Sequence, residues 1–347
     1  MIHGAGAASP RLRALVLGAS AGGGFPQWNC NCANCAAVRR GEPGFEARTQ
    51  SSLAVSADGL RWAILNASPD IGQQIQRNPQ IQPGDPAKVG SRHTPIASVL
   101  LTNGDIDHVA GLLTLREKQP FNLLSTSGIA EVISDNPIFG ALDPELVSRT
   151  VIALEEPFTL VEGVTAMLFP VPGKVPLYLE GDVVDTDLEG EQTVGVELRG
   201  PAGERVYYIP GCARMTDALA ARIRGADGVF FDGTLWQDDE MVRMGVGTKT
   251  GKRMGHMSMS GPDGSIAAFA GLGIASKVFL HINNTNPVLN DTSEERRQAE
   301  SQGWKIAFDG MEVSYDSAAD TTDDAGRTGS SSEEDRRGAL SQPASVS

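Results

Sequence analysis

The sequence is poor in several residue types that particular classes of protein require. Of its 347 residues only 5% are aromatic, four are cysteines and five are histidines, and 43 acids outnumber 29 bases. The net charge of −14 disfavours nucleic acid, because phosphate backbones demand basic patches. No window approaches the roughly 18 uninterrupted apolar residues of a membrane helix. We therefore expect no nucleic-acid partner and no membrane insertion.

The two ends of the sequence differ in composition from the rest. Residues 1–10 are predicted to be a flexible lead, and residues 1–18 lack the layout of a secretory signal peptide, so we expect a cytoplasmic protein. Residues 317–347 are rich in Ser, Asp, Glu and Gly with almost no large apolar residue, which predicts a disordered tail. The intervening residues 11–316 are predicted to form one domain.

Short strand-like runs recur through residues 11–316 and outnumber the amphipathic helical stretches between them. This mixture indicates an α+β protein with two packed sheets and outer helices, an αββα sandwich, rather than a doubly wound parallel sheet. The strand-like runs are 13–18, 51–55, 61–67, 98–102, 121–126, 165–171, 193–199, 205–210, 228–232, 277–282, 304–308 and 311–315. The helical stretches are 108–117, 127–135, 215–224, 262–271 and 292–302.

Three of the four cysteines crowd into one C-x-C-x-x-C pattern. Cys30, Cys32 and Cys35 follow a glycine-rich turn, and they lie too close together for an ordinary disulfide framework. Thiolates at this spacing can converge on one ion where the backbone curls, which glycines allow. Structural zinc takes four ligands, so a fourth must come from elsewhere in the chain. The cluster predicts a structural zinc site.

A second metal-binding pattern follows the strand-like run 98–102. Asp105, Asp107 and His108 lie in the loop after this run, and His281 ends another strand-like run. Two imidazoles and one carboxylate, from His108, His281 and Asp107, are the facial arrangement associated with non-haem Fe(II) and oxygen chemistry. A dinuclear zinc hydrolase would need about four or five histidines, and Asn103 and Asp105 stand where two of them would lie. The pattern favours one catalytic metal.

Basic residues near these motifs suit an acidic small molecule. Lys249, Lys252 and Arg253 lie in a glycine-rich loop, and Arg214 follows another strand-like run; all four could steer a carboxylate inward or belong to a solvated surface. Asp232 is a candidate for holding a metal-bound histidine in one tautomer. Residues predicted to be solvated are His93, Asp238, Asp239 and Glu240.

Seven motifs in order resemble the B family of pyrroloquinoline quinone (PQQ) biosynthesis proteins, a branch of the metallo-β-lactamase superfamily. They are GGGFPQWNCNCANC, NASPDIGQQI, LLTNGDIDHVAGLL, YYIPGCARM, FFDGTLWQDDEM, KRMGHMSMSG and HINNTNP. The resemblance covers about residues 11–316 and implies the αββα fold. The superfamily signature His-x-His-x-Asp-His falls on residues 103–108, and Lys174 stands where another metal-binding histidine follows a Pro-Gly pair. The resemblance thus implies one lost metal site and one retained site, formed by Asp107, His108 and His281.

The resemblance also implies cofactors, a reaction and partners. In a related phosphodiesterase branch a Gly-His turn completes the cysteine zinc site, which assigns His256 as its fourth ligand. The implied reaction is hydroxylation of a tyrosine ring in a small acidic Glu-Tyr-derived precursor, with Fe(II) and O2. A carrier of PQQ toward the periplasm and a metallohydrolase remain alternatives. Other proteins of the pathway and a second copy of the chain are expected partners, and Lys174 joins the four basic residues as a candidate substrate ligand.

Overall fold

The structure, a computed structural model, describes residues 11–180, 185 and 188–315. The predicted flexible lead, 1–10, and the predicted disordered tail, 317–347, lie outside the described residues. The described residues as far as Tyr315 belong to one compact unit. In this described part no helix is long and apolar enough to cross a membrane.

The chain contributes its strands to two seven-stranded mixed sheets. The strands are β1 (Arg13–Gly18), β2 (Ser52–Ser56), β3 (Trp62–Leu65), β4 (Ile96–Leu100), β5 (Phe121–Ser125), β6 (Val147–Val151), β7 (Pro157–Val161), β8 (Val164–Pro170), β9 (Val194–Arg199), β10 (Arg205–Ile209), β11 (Gly228–Asp232), β12 (Ser276–Leu280), β13 (Trp304–Ile306) and β14 (Glu312–Ser314). The first sheet has the order β14-β1-β2-β3-β4-β5-β6, and the second has the order β13-β12-β11-β10-β9-β8-β7.

Helices lie between many of these strands. They are α1 (Ala33–Arg40), α2 (Ile71–Arg77), α3 (Pro86–Val89), α4 (Ile106–Val109), α5 (Ser127–Asp135), α6 (Asp217–Ile223), α7 (Glu240–Arg243), α8 (Gly251–Met254), α9 (Ser265–Ala268) and α10 (Glu294–Ser301). Short 3-10 turns add Pro79–Ile81, Ala110–Arg116, Pro137–Ala141, Leu177–Leu179 and Pro287–Leu289.

The period of two along each strand divides the buried side chains between two apolar layers. In β10 and β11, Tyr208 and Phe230 belong to the cluster that both sheets share, whereas their neighbours Tyr207 and Phe231 belong to a second cluster. The second cluster also contains Leu219 of α6 and other residues of the helices outside the second sheet. Each face of the second sheet is therefore covered, which gives the predicted αββα sandwich in a single domain.

The antiparallel hairpins of each sheet lead into a parallel half. In the first sheet β3, β4, β5 and β6 pair in parallel, and in the second sheet β10, β11, β12 and β13 do so. The carboxyl ends of parallel strands meet at one edge of a sheet, where α/β proteins bind ligands. The loops after β4, β11 and β12 are therefore brought together, and these loops carry the predicted metal ligands.

Candidate metal centre and cavity

The residues of the predicted iron site come from two sheets and converge. Asp107 and His108 lie in α4, which begins six residues after β4 ends, and His281 directly follows β12. The backbone of His281 has a φ of 56°, a left-handed conformation that few non-glycine residues adopt. Its side chain thereby turns out of the strand direction toward the neighbouring loops.

The donor atoms of Asp107, His108 and His281 lie within 4.8 Å of one another. Asp107 Oδ2 is 3.1 Å from His281 Nε2 and 3.8 Å from His108 Nε2. Among the described residues, the buried His108 Nε2 has no hydrogen-bond partner. A buried ring nitrogen without a partner costs free energy, and a metal ion would remove that cost. The two imidazoles and the carboxylate therefore fit one transition-metal ion.

Asn103 holds the ring of His108. Its Oδ1 lies 2.7 Å from His108 Nδ1, so Nδ1 carries the proton and the lone pair of Nε2 faces Asp107. Burial lowers the pKa of His108 to about 4, which keeps the ring neutral at physiological pH. At the position where the superfamily signature has a metal-binding histidine, this chain thus has a hydrogen-bond acceptor for another ligand.

His281 is held in the same way through Thr234 and Asp232. The Thr234 hydroxyl donates to Asp232 Oδ1 at 2.6 Å and lies 2.9 Å from His281 Nδ1, which assigns the proton to Nδ1. Burial by itself lowers the pKa of His281, but the hydrogen bond and charge of Asp107 outweigh it and raise that pKa overall. Burial raises the pKa of Asp107, and the two histidines outweigh it and lower it. Both shifts arise because His281 Nε2 and Asp107 Oδ2 lie in direct contact at 3.1 Å.

The prediction that His256 completes the cysteine zinc site is corrected by the structure. Gly255, at a φ of 82°, ends α8 and turns the chain so that His256 enters the cavity. His256 Nδ1 lies 2.7 Å from Oδ2 of the fully buried Asp232, and its ring stacks on His281 with centroids 5.3 Å apart. Asp232, His256 and His281 form a second group of converging donors. The strong Asp232 contact keeps His256 on the side of the iron-site residues.

Asn284 takes the place at the cysteines that was assigned to His256. The sulfur atoms of Cys30, Cys32 and Cys35 lie within 4.8 Å of one another. The Asn284 amide nitrogen is 3.2 Å, 3.6 Å and 3.3 Å from these sulfurs in that order. Asn34 donates to the Asn284 carbonyl at 3.1 Å and fixes its backbone. The carboxamide closes the fourth face of the cluster with its nitrogen toward the sulfurs, and a rotation of the amide by 180° would place its oxygen there as a ligand to a zinc ion.

A cavity of about 320 Å³ opens in front of the converging donors. Asp105, Lys174, Lys249 and His256 line it together with the iron-site residues. The other predicted substrate residues lie elsewhere: Arg214 and Lys252 line a neighbouring cavity of about 480 Å³. Arg253 contacts Glu180, whose side chain is only 7% exposed. Two of the five predicted cations thus face the metal centre directly.

Two residues predicted to be solvated have different environments. His93 lies in a loop and accepts a hydrogen bond from the backbone of Gly84 at 3.1 Å, as a surface histidine can. Glu240, in contrast, is only 4% exposed, so its prediction is corrected. Its carboxylate accepts from Thr285 Oγ1 at 2.5 Å and from the backbone of Trp236 at 2.8 Å. Burial raises the pKa of Glu240 to about 7. Because Glu240 belongs to the acidic run Asp238–Glu240, composition alone predicted that its carboxyl is solvated.

Sequence reasoning missed Thr234, Asn284 and Glu180 as parts of the site. Thr234 follows Asp232 by two residues, and Asn284 follows His281 by three, so both lie next to strand-end residues that the sequence singles out. Their positions next to these strand-end residues could have identified Thr234 and Asn284 as parts of the site. Glu180 gave no local signal, because two of its three partners, Lys249 and Arg253, lie in a segment that only the fold brings close to it.

Comparison with known proteins identifies the same branch. Residues 61–282 match the Beta-lactamase superfamily domain. Coenzyme PQQ synthesis protein B of Rhizobium meliloti is 58% identical over 302 residues, which are 87% of this chain and 97% of that protein. The protein of the same name from Ruegeria pomeroyi is 56% identical over 302 residues, 87% of this chain and 99% of that protein.

Solved structures support the same family assignment. Zinc-bound PqqB from Methylobacterium extorquens has a TM-score of 0.84 at 54% identity, covering 87% of this chain and 99% of that one. A diphosphatase of the PhnP family, with a TM-score of 0.61 at 20% identity over 88% of this chain and 97% of that one, shares the fold alone. The chain belongs to the beta-lactamase superfamily and, within it, to the family of coenzyme PQQ synthesis protein B.

Proposed function

We propose that this protein acts in PQQ biosynthesis and hydroxylates the tyrosine ring of a Glu-Tyr-derived precursor, with Fe(II) and O2. The observation that carries the proposal is the convergence of Asp107, His108 and His281 beside an open cavity, in a chain of this family. Two imidazoles and one carboxylate would leave three positions of a six-coordinate ion open for other ligands, and this ligand set suits non-haem iron. Bound Fe(II) would supply the activation of dioxygen.

The proposal involves one catalytic metal rather than two. Lys174 lines the cavity where the superfamily has a metal-binding histidine, and its ammonium would repel a second cation. Asn103 is engaged as the acceptor for His108. A two-metal hydrolase would need donors from both positions, so the hydrolase alternative has less support.

The surrounding residues position the ligands and accept a proton. Asn103 and Thr234 fix the proton on Nδ1 of His108 and His281, which directs both Nε2 atoms to the same point. Asp232 fixes Nδ1 of His256 in the same way, so His256 Nε2 is the nitrogen available to the cavity. We propose that this nitrogen accepts the phenolic proton of the substrate, which enriches the ring in electrons before oxygen enters it.

The test is anaerobic loading of the protein with Fe(II), followed by O2, a Glu-Tyr-derived substrate and ascorbate. Ascorbate supplies two electrons because one oxygen atom of O2 leaves as water. We expect the mass of one oxygen atom on the tyrosine ring with wild-type protein, and loss of at least about 100-fold in rate with His281→Ala. His93→Ala is the matched control and should retain the wild-type rate, since His93 lies in a loop outside the cavity lining.

The alternatives give different outcomes in the same assay. A hydrolase would cleave the substrate without O2 and with zinc as the metal. A carrier would bind PQQ without consuming oxygen, and His281→Ala would leave that binding unchanged. Normal oxidation by His281→Ala would overturn the assignment of the iron site.

A further inference from the structure

Glu180 joins three cations that come from two distant segments of the chain. Its Oε1 is 2.9 Å from Lys174 Nζ, and its Oε2 is 3.0 Å from Arg253 Nη2 and 3.8 Å from Lys249 Nζ. Burial raises the pKa of Glu180, but the hydrogen bonds from Arg253 and Lys174 and the charge of Lys249 outweigh burial and lower the pKa to about 2. Glu180 is therefore a carboxylate at physiological pH.

The three cations border the metal cavity, and together they carry more charge than Glu180. Lys174 and Lys249 line the cavity together with His281. Lys174, Lys249 and Arg253 carry three positive charges, whereas the carboxylate that contacts all of them in the described structure is Glu180. Among the described residues, Arg253 Nη1 is shielded from solvent and has no hydrogen-bond partner. Among the described residues, the three cations thus outnumber the one carboxylate that contacts all of them.

The ion pairs of Glu180 differ in how readily they can be exchanged. The side chains of Lys249 and Arg253 are 37% and 40% exposed, and ion pairs of such groups contribute little stability. Lys174 is 12% exposed, and a buried ammonium without a partner is costly. A ligand that displaces Glu180 must therefore bring an anion of its own to Lys174. A bidentate carboxylate would meet this condition and would also pair with Arg253.

A second contact of the same kind involves the sequence that follows Glu180. Residues 180–191 contain many acids and no base, namely Glu180, Asp182, Asp185, Asp187, Glu189 and Glu191. Glu189 lies 3.6 Å from Arg214, another cation predicted to bind substrate. Acids of one short stretch therefore contact four of the five predicted substrate cations.

We propose that Lys174, Lys249 and Arg253 form the subsite for a carboxylate of the substrate, and that Glu180 is an internal carboxylate occupying this subsite until the substrate displaces it. The proposal rests on the proposed function for the identity of the substrate. Its consequence is selectivity: a ligand without a carboxylate gains nothing from displacing Glu180, whereas a polycarboxylate replaces the ion pairs that it breaks. A ligand must break the ion pairs of Glu180 before it binds. The three cations then favour a ligand that carries negative charge.

The test measures equilibrium binding of PQQ, a tricarboxylate, and of its uncharged trimethyl ester to the metal-loaded protein without O2. Glu180→Gln keeps the shape of the side chain and removes the competing charge, so it should bind PQQ about threefold to tenfold more tightly than wild type. Arg253→Gln should bind PQQ about tenfold more weakly. Neither substitution should change binding of the ester.

Glu155→Gln is the matched control, because it changes the net charge equally and breaks an ion pair with Arg222 that lies outside the cavity lining. It should leave PQQ binding unchanged. Equal or weaker PQQ binding by Glu180→Gln, or the same gain for Glu155→Gln or for the ester, would overturn the proposal, as would failure of every variant to bind PQQ. Failure of ring hydroxylation with the expected binding pattern would instead contradict the proposed reaction and leave the subsite standing.

Discussion

At the scale of single residues, the site depends on the nitrogen atom by which each histidine is held. His108, His281 and His256 each have Nδ1 engaged, by Asn103, Thr234 and Asp232 respectively. Each therefore presents Nε2 to the cavity. The sequence identified two of these histidines as metal ligands from their strand-end positions. It identified Asp232 as a candidate holder but not Asn103 or Thr234, because a hydrogen-bond acceptor carries no spacing pattern of its own.

The role of Asn103 leads to a prediction about metal affinity. Asn103→Ala removes the acceptor for His108 Nδ1, and loss of such a partner typically costs about 10-fold to 100-fold in affinity. Asn103→Asp retains an acceptor and should bind at least as tightly as wild type. Anaerobic titration with Fe(II) checks both variants. Asn122→Ala, which removes an asparagine from β5 that accepts from Ser148 and Thr150, is the control. Equal affinity of Asn103→Ala and Asn122→Ala would contradict the role of Asn103.

Glu240 predicts a pH dependence of stability. Burial raises its pKa to about 7 in the folded state, from 4.5 in an unconstrained chain. The folded state thus holds this proton more tightly, so the stabilisation is complete below pH 4.5 and is lost as the pH rises through about 7. Glu240→Gln avoids the buried charge and should be more stable than wild type at pH 8.5, by up to about 3 kcal/mol.

Urea unfolding of wild type and Glu240→Gln at pH 4 and pH 8.5 checks this prediction. The difference between the two proteins should appear only at the higher pH. Asp239→Asn is the control, because Asp239 is exposed and pairs with Arg243 at the surface. A stability difference that is the same at both pH values would show that Glu240 keeps its charge in the folded protein.

At the scale of elements, one segment joins the two predicted metal sites. Residues 281–286 begin at His281 and reach Asn284 three residues later, and Asn283 to Asn286 are buried throughout. The segment is fixed at both sides: the backbone of Ala21 donates to Ile282, and Asn286 donates to the backbone of Gly233 at 2.9 Å. A structural ion at the cysteines would therefore stabilise the same segment that presents His281.

This arrangement predicts which variants lose the cysteine-bound zinc. Cys32→Ser should release one zinc per chain and lower the unfolding temperature, because structural zinc contributes folding free energy. Asn284→Ala should weaken zinc binding in the same direction. His256→Ala should keep this zinc, since His256 contacts Asp232 instead. Elemental analysis and thermal unfolding check the three variants. Zinc loss from His256→Ala together with retention by Asn284→Ala would restore the assignment made from the sequence.

Strand prediction found two of the four strands at the sheet edges, β13 and β14, and missed the other two. The strands that the sequence missed, β6 and β7, are the last strands of their sheets. Four of the five residues of β6 are exposed, and β7 begins with a proline, so neither shows apolar alternation. Helix prediction found α5, α6 and α10 but gave 262–271 too great a length, because only Ser265–Ala268 is helical in this glycine-rich stretch.

At the scale of the whole molecule, the site exists because two sheets end their parallel strands at a common edge. The sequence predicted this sandwich from its strand-like runs and its resemblance, and the structure and the relatives confirm it. It did not predict that Glu180 meets Lys249 and Arg253, which lie about 70 residues later in the chain. Such long-range pairs follow from the packing of loops and not from local spacing.

The carboxyl-terminal boundary of the domain gives a prediction for the whole fold. β14 pairs with β1 at the edge of the first sheet, and Met311, Val313 and Tyr315 belong to the shared apolar core. A chain that ends at Asp316 keeps these contacts and should match the full chain in unfolding temperature, metal content and turnover. A chain that ends at Gly310 loses them. Each such buried side chain contributes on the order of 1.5 kcal/mol or more to the free energy of unfolding. The unfolding temperature of the chain that ends at Gly310 should therefore fall by at least about 5 °C. Calorimetry and elemental analysis of the two shortened chains beside the full chain decide the matter. An equal loss of stability in both would place residues 317–347 within the folding unit.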